Sequence, residues 1–217
     1  MKKEHQVHNL IILDESGSMN SIKQPIIDGF NELVQNIHGI EKKFPEQKHF
    51  ISFITFNSLE QKWLHFMQPA SKLKQINDKK YNPDGLTPLL DTMGLSIYKL
   101  KTALEKESNY DVLVTILTDG MENHSKEYSA KDIKSIIDEL KQKNWTFTYI
   151  GTDHDVDSFA VSISINNTLT FKKDKRGIEE MFSTNLMAMD QYCKSIHHNK
   201  KPSKNFFEQS DDKIEKS

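Results

Sequence analysis

Asp14, Ser16 and Ser18 stand at alternate positions directly after the apolar run Leu10-Ile11-Ile12-Leu13, with Gly17 between the serines. A second acid, Asp119, follows a second nearly continuous apolar run, Val112 to Thr118. Thr87 closes the clearest loop of the chain, Tyr81-Asn82-Pro83-Asp84-Gly85-Leu86-Thr87-Pro88. Short apolar runs bounded by turn signals read as buried strands, and buried strands of this kind lie in parallel sheets. Ligands of open parallel sheets collect beyond the carboxyl ends of the strands. If the two acid-ended strands are neighbours, three loops converge on one point. Together they offer two carboxylates and three hydroxyls, and no sulfur. Such hard oxygens suit Mg²⁺ better than zinc or copper. A hexacoordinate ion held this way keeps a position for water or an incoming ligand. Ser and Asp are also ordinary turn and cap residues, so the first stretch alone decides nothing and the combination carries the argument.

The elements that would position these residues alternate along the chain. Val7 to Leu13 reads as the first strand, followed by a helix whose face is Ile22, Ile26, Phe30, Leu33 and Ile37. Ser21 and Gln24 are spaced as its capping box, Pro25 falls in its first turn and Gly39 is placed as its stop. His49 to Phe56 is a strand, and Trp63 to Met67 a short antiparallel edge strand. Pro88 opens a helix with Leu89, Leu90, Met93, Ile97, Leu100 and Leu104 on one face. Strand Asp111 to Thr118 precedes a helix capped by Ser129 and Asp132. Trp145 to Ile150 is a strand, Val156 to Ser162 a short helix and Thr168 to Phe171 a marginal strand. A last helix follows, with Ile178, Met181, Phe182, Leu186, Met189 and Ile196. This alternation predicts an α/β fold: an open, mostly parallel, doubly wound sheet with one short antiparallel edge strand and helices on both faces. Residues 1–196 form the domain, and 197–217 read as a polar, disordered tail in which Phe206-Phe207 stands out as a docking motif.

Composition narrows the function classes. With 29 Lys and Arg against 31 Asp and Glu, the net charge of −2 gives no global attraction to nucleic acid or a membrane surface. Lysine-rich stretches at 72–80, 99–106 and 172–176 are mostly diluted by acids. The one cysteine, Cys193, excludes an intramolecular disulfide and a cysteine metal site, and reads as a packing residue. The chain contains no apolar segment of signal-peptide or transmembrane length, so a cytoplasmic protein is expected. The scattered histidines offer no zinc site.

Asp14-Glu15-Ser16-Gly17-Ser18 resembles the D-x-S-x-S signature of von Willebrand factor type A domains. Thr87 in Gly85-Leu86-Thr87-Pro88-Leu89 is similar to the second-loop threonine of that family, and Asp119 in Thr118-Asp119-Gly120 to its third-loop aspartate. The resemblance covers about residues 6 to 195, is closest to the small intracellular bacterial and phage members, and extends to Tyr149-Ile150-Gly151 and Asp153. It implies a Rossmann-like fold and a metal-ion-dependent adhesion site at Asp14, Ser16, Ser18, Thr87 and Asp119. The ion would be Mg²⁺ or Mn²⁺, and its open position would take a carboxylate from a protein partner. The resemblance implies recognition without catalysis, and coupling of the metal loops to the last helix and so to the tail. Glu15 is expected to face solvent, Asp91 to orient the loop or serve as a helix-start acid, and Asp84, Glu122, Asn123 and His124 to rim the site.

Two other readings of the same residues stay open. A metal-dependent phosphohydrolase would use Asp14 as nucleophile, but the haloacid-dehalogenase pattern has an aspartate where Ser16 stands, and no phosphate-binding G-x-x-x-x-G-K-[ST] loop is present. A phosphate or flavin binder would use Ser16-Gly17-Ser18 at a helix start, against which Asp14 counts as a repelling charge.

Overall fold

The computed structural model describes residues 4–152, 156–198, 200 and 206–207. In chain order its elements are β1 (His5–Asp14), a 3-10 turn (Gly17–Ile22), α1 (Lys23–Lys43), β2 (Gln47–Phe56) and β3 (Gln61–Pro69). There follow a second 3-10 turn (Ala70–Lys72), α2 (Leu89–Ala103), β4 (Tyr110–Leu117), α3 (Ala130–Leu140) and β5 (Trp145–Thr152). The last are α4 (Val156–Ser162), β6 (Asn167–Phe171) and α5 (Lys175–His197). The sheet order is β3-β2-β1-β4-β5-β6. Only β3 runs antiparallel, on the edge beside β2.

β1 and β4 lie side by side, with Leu13 opposite Leu117, so the two acid-ended strands finish at the same level. Both are buried on both faces over their final residues, which explains their unbroken apolar runs. One side of the sheet is covered by α1 and α5, where Phe30, Leu33, Ile37, Met181, Phe182 and Tyr192 join Ile11 and Leu13 in one core. The other is covered by α2, α3 and α4, with Leu89, Met93, Ile97, Ile133 and Ile137 packing on Leu10, Ile12 and Val114. Cys193 sits in the first core, and burial pushes its thiol up to about 12, as expected for a packing residue. No helix among the described residues is long and apolar enough to cross a membrane.

Three local expectations need correction. α1 does not stop at Gly39 but runs to Lys43, because Ile40 continues the buried stripe and its packing outweighs the roughly 1 kcal/mol cost of an exposed glycine. Ser21 makes no capping box: it lies inside the 3-10 turn that feeds α1, and no side-chain bond caps that helix at Ile22. Pro88 precedes α2 as its cap residue and is not its first member. By contrast, Ser129 and Asp132 do form the reciprocal capping box of α3.

Most of the segment 197–217, read above as disordered, lies outside the described residues, and so does Asp153. Within that segment Phe206 docks on this same domain. It is 6% exposed, its ring lies 5.9 Å from that of Tyr192 on α5, and its N–H donates to Asn167 Oδ1 at 2.9 Å. Phe206→Ala is expected to lower unfolding free energy by about 3 kcal/mol in a denaturant titration. An unchanged midpoint would mean that the ring does not pack there.

Candidate metal centre

Asp14 ends β1 and is fully buried. Its Oδ1 accepts the Ser16 N–H at 2.7 Å and its Oδ2 accepts the Thr118 hydroxyl at 2.6 Å. Its carbonyl accepts the phenol of Tyr81, itself buried, at 2.8 Å. Burial pushes the Asp14 carboxyl up to about 6, and the charge of Asp119 adds to the rise. The bonds from Thr118 and Ser16 pull in the other direction. Asp119, just past β4, accepts the Ser18 hydroxyl on Oδ1 at 2.5 Å, while its carbonyl accepts the Thr152 hydroxyl at 2.9 Å. Its Oδ2 is buried and faces the ammonium of Lys173 as an ion pair. The Ser16 and Ser18 hydroxyls are 3.1 Å apart.

Gly120 locates the centre of the group. A Cβ built on it would lie 3.6 Å from Ser18 Oγ, 3.6 Å from Thr87 Oγ1 and 4.0 Å from Asp14 Oδ2. Oxygens from the first two loops therefore rim one small space beside the backbone of the third, and Asp119 of that third loop joins them through its bond from Ser18. The structure thus brings Asp14, Ser16, Ser18, Thr87 and Asp119 together. Among the described residues there is no group of three or more His, Cys, Asp or Glu of the kind that holds a metal. This set contains only two carboxylates, its other members being hydroxyls, and its donor chemistry fits a hard cation. The side chains are buried apart from Ser18, which opens to solvent.

Among the residues around the five, Glu15 departs from its expectation. Glu15 does not face solvent. It is fully buried, its Oε1 pairs with Lys62 Nζ at 2.6 Å and accepts the Asn82 N–H at 2.5 Å, and its carbonyl accepts the Asp84 N–H at 2.9 Å. One side chain thus ties the first loop to the second and to β3. Its partner lies 47 residues away, and nothing local signals the pair. Gly85, at φ +72°, lets the second loop approach the first, where its carbonyl accepts the Gly17 N–H at 3.1 Å.

The second and third loops are joined by side chains expected at the rim. Asn123 Oδ1 accepts the Thr87 N–H at 2.9 Å, and the Asn123 N–H donates to the Thr87 carbonyl at 3.2 Å. Glu122 accepts the Leu90 N–H at 2.9 Å. Asp91 accepts the N–H groups of Lys126, Glu127 and Tyr128 at 2.8 to 2.9 Å, so it orients the third loop.

The von Willebrand factor type A domain family matches residues 10–184. Among solved structures, the chain is similar to proximal thread matrix protein 1 from the mussel byssus, with a TM-score of 0.55 at 14% identity. That match covers 87% of this chain and 46% of the other, so this chain spans about half the length of that protein. It is also similar to the SpRpn10 VWA domain, with a TM-score of 0.53 at 11% identity, covering 84% of this chain and 94% of the other. Identities this low show the shared fold alone. A search of curated proteins found no match.

Because Glu15 is buried against Lys62, removing one partner leaves an uncompensated charge. Glu15→Gln is expected to cost about 3 kcal/mol of unfolding free energy. A double-mutant cycle with Lys62→Met should return a coupling of more than about 1 kcal/mol. Additive effects of the two changes would show that the pair does not hold the loops.

Proposed function

The chain belongs to the von Willebrand factor type A domain family, and on that footing we propose that it recognises a partner protein through a divalent cation, Mg²⁺ or Mn²⁺. Domains of this family generally mediate protein interactions. The observation that carries the reading is the convergence of Asp14, Ser18 and Thr87 oxygens around Gly120, with Ser16 and Asp119 bonded to Ser18. Asp14 and Asp119 would supply the charge, and Ser16, Ser18 and Thr87 neutral oxygens. When bound, the cation supplies an open coordination position for a carboxylate of the partner. Asp14 is then held in its charged form by the ion, against the burial that raises its pKa.

The enzyme reading is weaker on specific grounds. A nucleophilic Asp14 of the haloacid-dehalogenase kind has a second aspartate two positions on, and Ser16 stands there with no carboxyl to act as acid or base. The cysteine thiol is buried and protonated far above neutral pH. A bare phosphate or flavin phosphate would meet two carboxylates. We therefore take the domain to be a non-enzymatic binding module.

Mg²⁺ or Mn²⁺ at about a hundredfold excess over Kd should raise the melting temperature by about 5 °C or more, by mass action on the folded state. Asp14→Ala and Asp119→Ala should each remove that rise while leaving a cooperative melt. A rise that persists in both variants would put the ion elsewhere. Partner capture from a native lysate should be lost with chelator and in Thr87→Ala. Capture indifferent to both would mean that recognition uses another surface.

A further inference from the structure

Lys173 lies in the connection between β6 and α5, two residues beyond the end of the strand. Its backbone is held from both sides. Phe171 pairs with Thr152 on β5, and the Thr152 hydroxyl donates to the Asp119 carbonyl at 2.9 Å. On the other side Asp174 caps α5 by accepting the Gly177 N–H on Oδ1 at 2.7 Å. From this fixed base the lysine side chain, 31% exposed, reaches back to the wholly buried carboxylate of Asp119. It meets Oδ2, the oxygen that Ser18 does not use. Two neighbouring cations point elsewhere: Lys175 pairs with Glu179 and Arg176 with Glu180, each along the exposed face of α5.

The geometry points to Lys173 as a tethered competitor of the divalent cation, its ammonium and the ion both drawing on the one carboxylate of Asp119. This rests on the cation reading given above and goes beyond it, because it concerns a residue outside the set of five. The charges make the exchange unequal. Two carboxylates balance one divalent ion, and the ammonium adds a positive charge to the same small space. Like charges a few ångströms apart in a partly buried setting repel strongly. Retaining the ammonium at Asp119 therefore weakens the ion, and binding the ion displaces the ammonium. Only the side chain must swing, since strand and helix cap hold the backbone. Lys173 thereby sets how much divalent cation the site needs.

The test is a Mn²⁺ titration of the full chain by isothermal calorimetry, supported by electron paramagnetic resonance of the free ion, at fixed pH and ionic strength. Lys173→Met is expected to bind Mn²⁺ about tenfold more tightly than the wild type, or better, through loss of the repulsion. Lys173→Arg keeps the charge and should stay within about threefold of wild type. Lys173→Gln keeps a donor for Asp119 without charge and should follow the methionine variant, with circular dichroism showing that each is folded. If wild type binds Mn²⁺ and neither neutral variant binds it more tightly, the competition is refuted and the cation site stands. A gain in Lys173→Met alone would assign the effect to packing and refute it equally. Absence of Mn²⁺ binding in wild type and all variants would remove both the competition and the site.

Discussion

Two carboxylates side by side at the buried ends of adjacent parallel strands cost free energy, through lost hydration and mutual repulsion. Asp14 and Asp119 are in that position because β1 and β4 pair in register and end together. The surrounding loops offset the cost with oriented donors: the Ser16 N–H and Thr118 hydroxyl for Asp14, the Ser18 hydroxyl and Lys173 ammonium for Asp119. The compensation is incomplete. Asp14 remains raised to about 6 by its burial, and among the described residues Asp119 Oδ2 is met by the Lys173 ammonium alone. That residual negative charge among convergent oxygens would favour a bound cation.

A second layer holds the loops in place, and it is made of side chains that touch none of the convergent space. Glu15 with Lys62 fixes the first loop against the second, and Asn123, Glu122 and Asp91 fix the second against the third. Placement of hydroxyls to a few tenths of an ångström needs such support, because loop backbone alone is soft.

The five candidate residues were legible because each is announced locally. An apolar run ending in an acid marks a strand end, and Asn-Pro-Asp-Gly marks a loop that must precede a helix. The Ser129–Asp132 cap was legible for the same reason, both partners lying within one turn. What was missed depends on contacts between distant segments. Glu15 has the composition of a solvated turn residue, and only the fold shows Lys62 arriving beside it. Gly39 carries a stop signal that the burial of Ile40 overrides. Phe206-Phe207 stands out as a docking motif, but only the fold shows that Phe206 docks on Tyr192 of this same domain. Structural neighbours at 11 to 15% identity make the same point from outside, since such chains share a fold with few residues in common.

The central claim is that these oxygens hold a divalent ion. Crystals of the full chain grown in Mn²⁺ and measured at wavelengths on either side of the manganese absorption edge test it most directly. An anomalous peak enclosed by Asp14, Ser16, Ser18, Thr87 and Asp119 is expected. Well-ordered loops with no peak among those side chains, or a peak bound elsewhere on the domain, would contradict it.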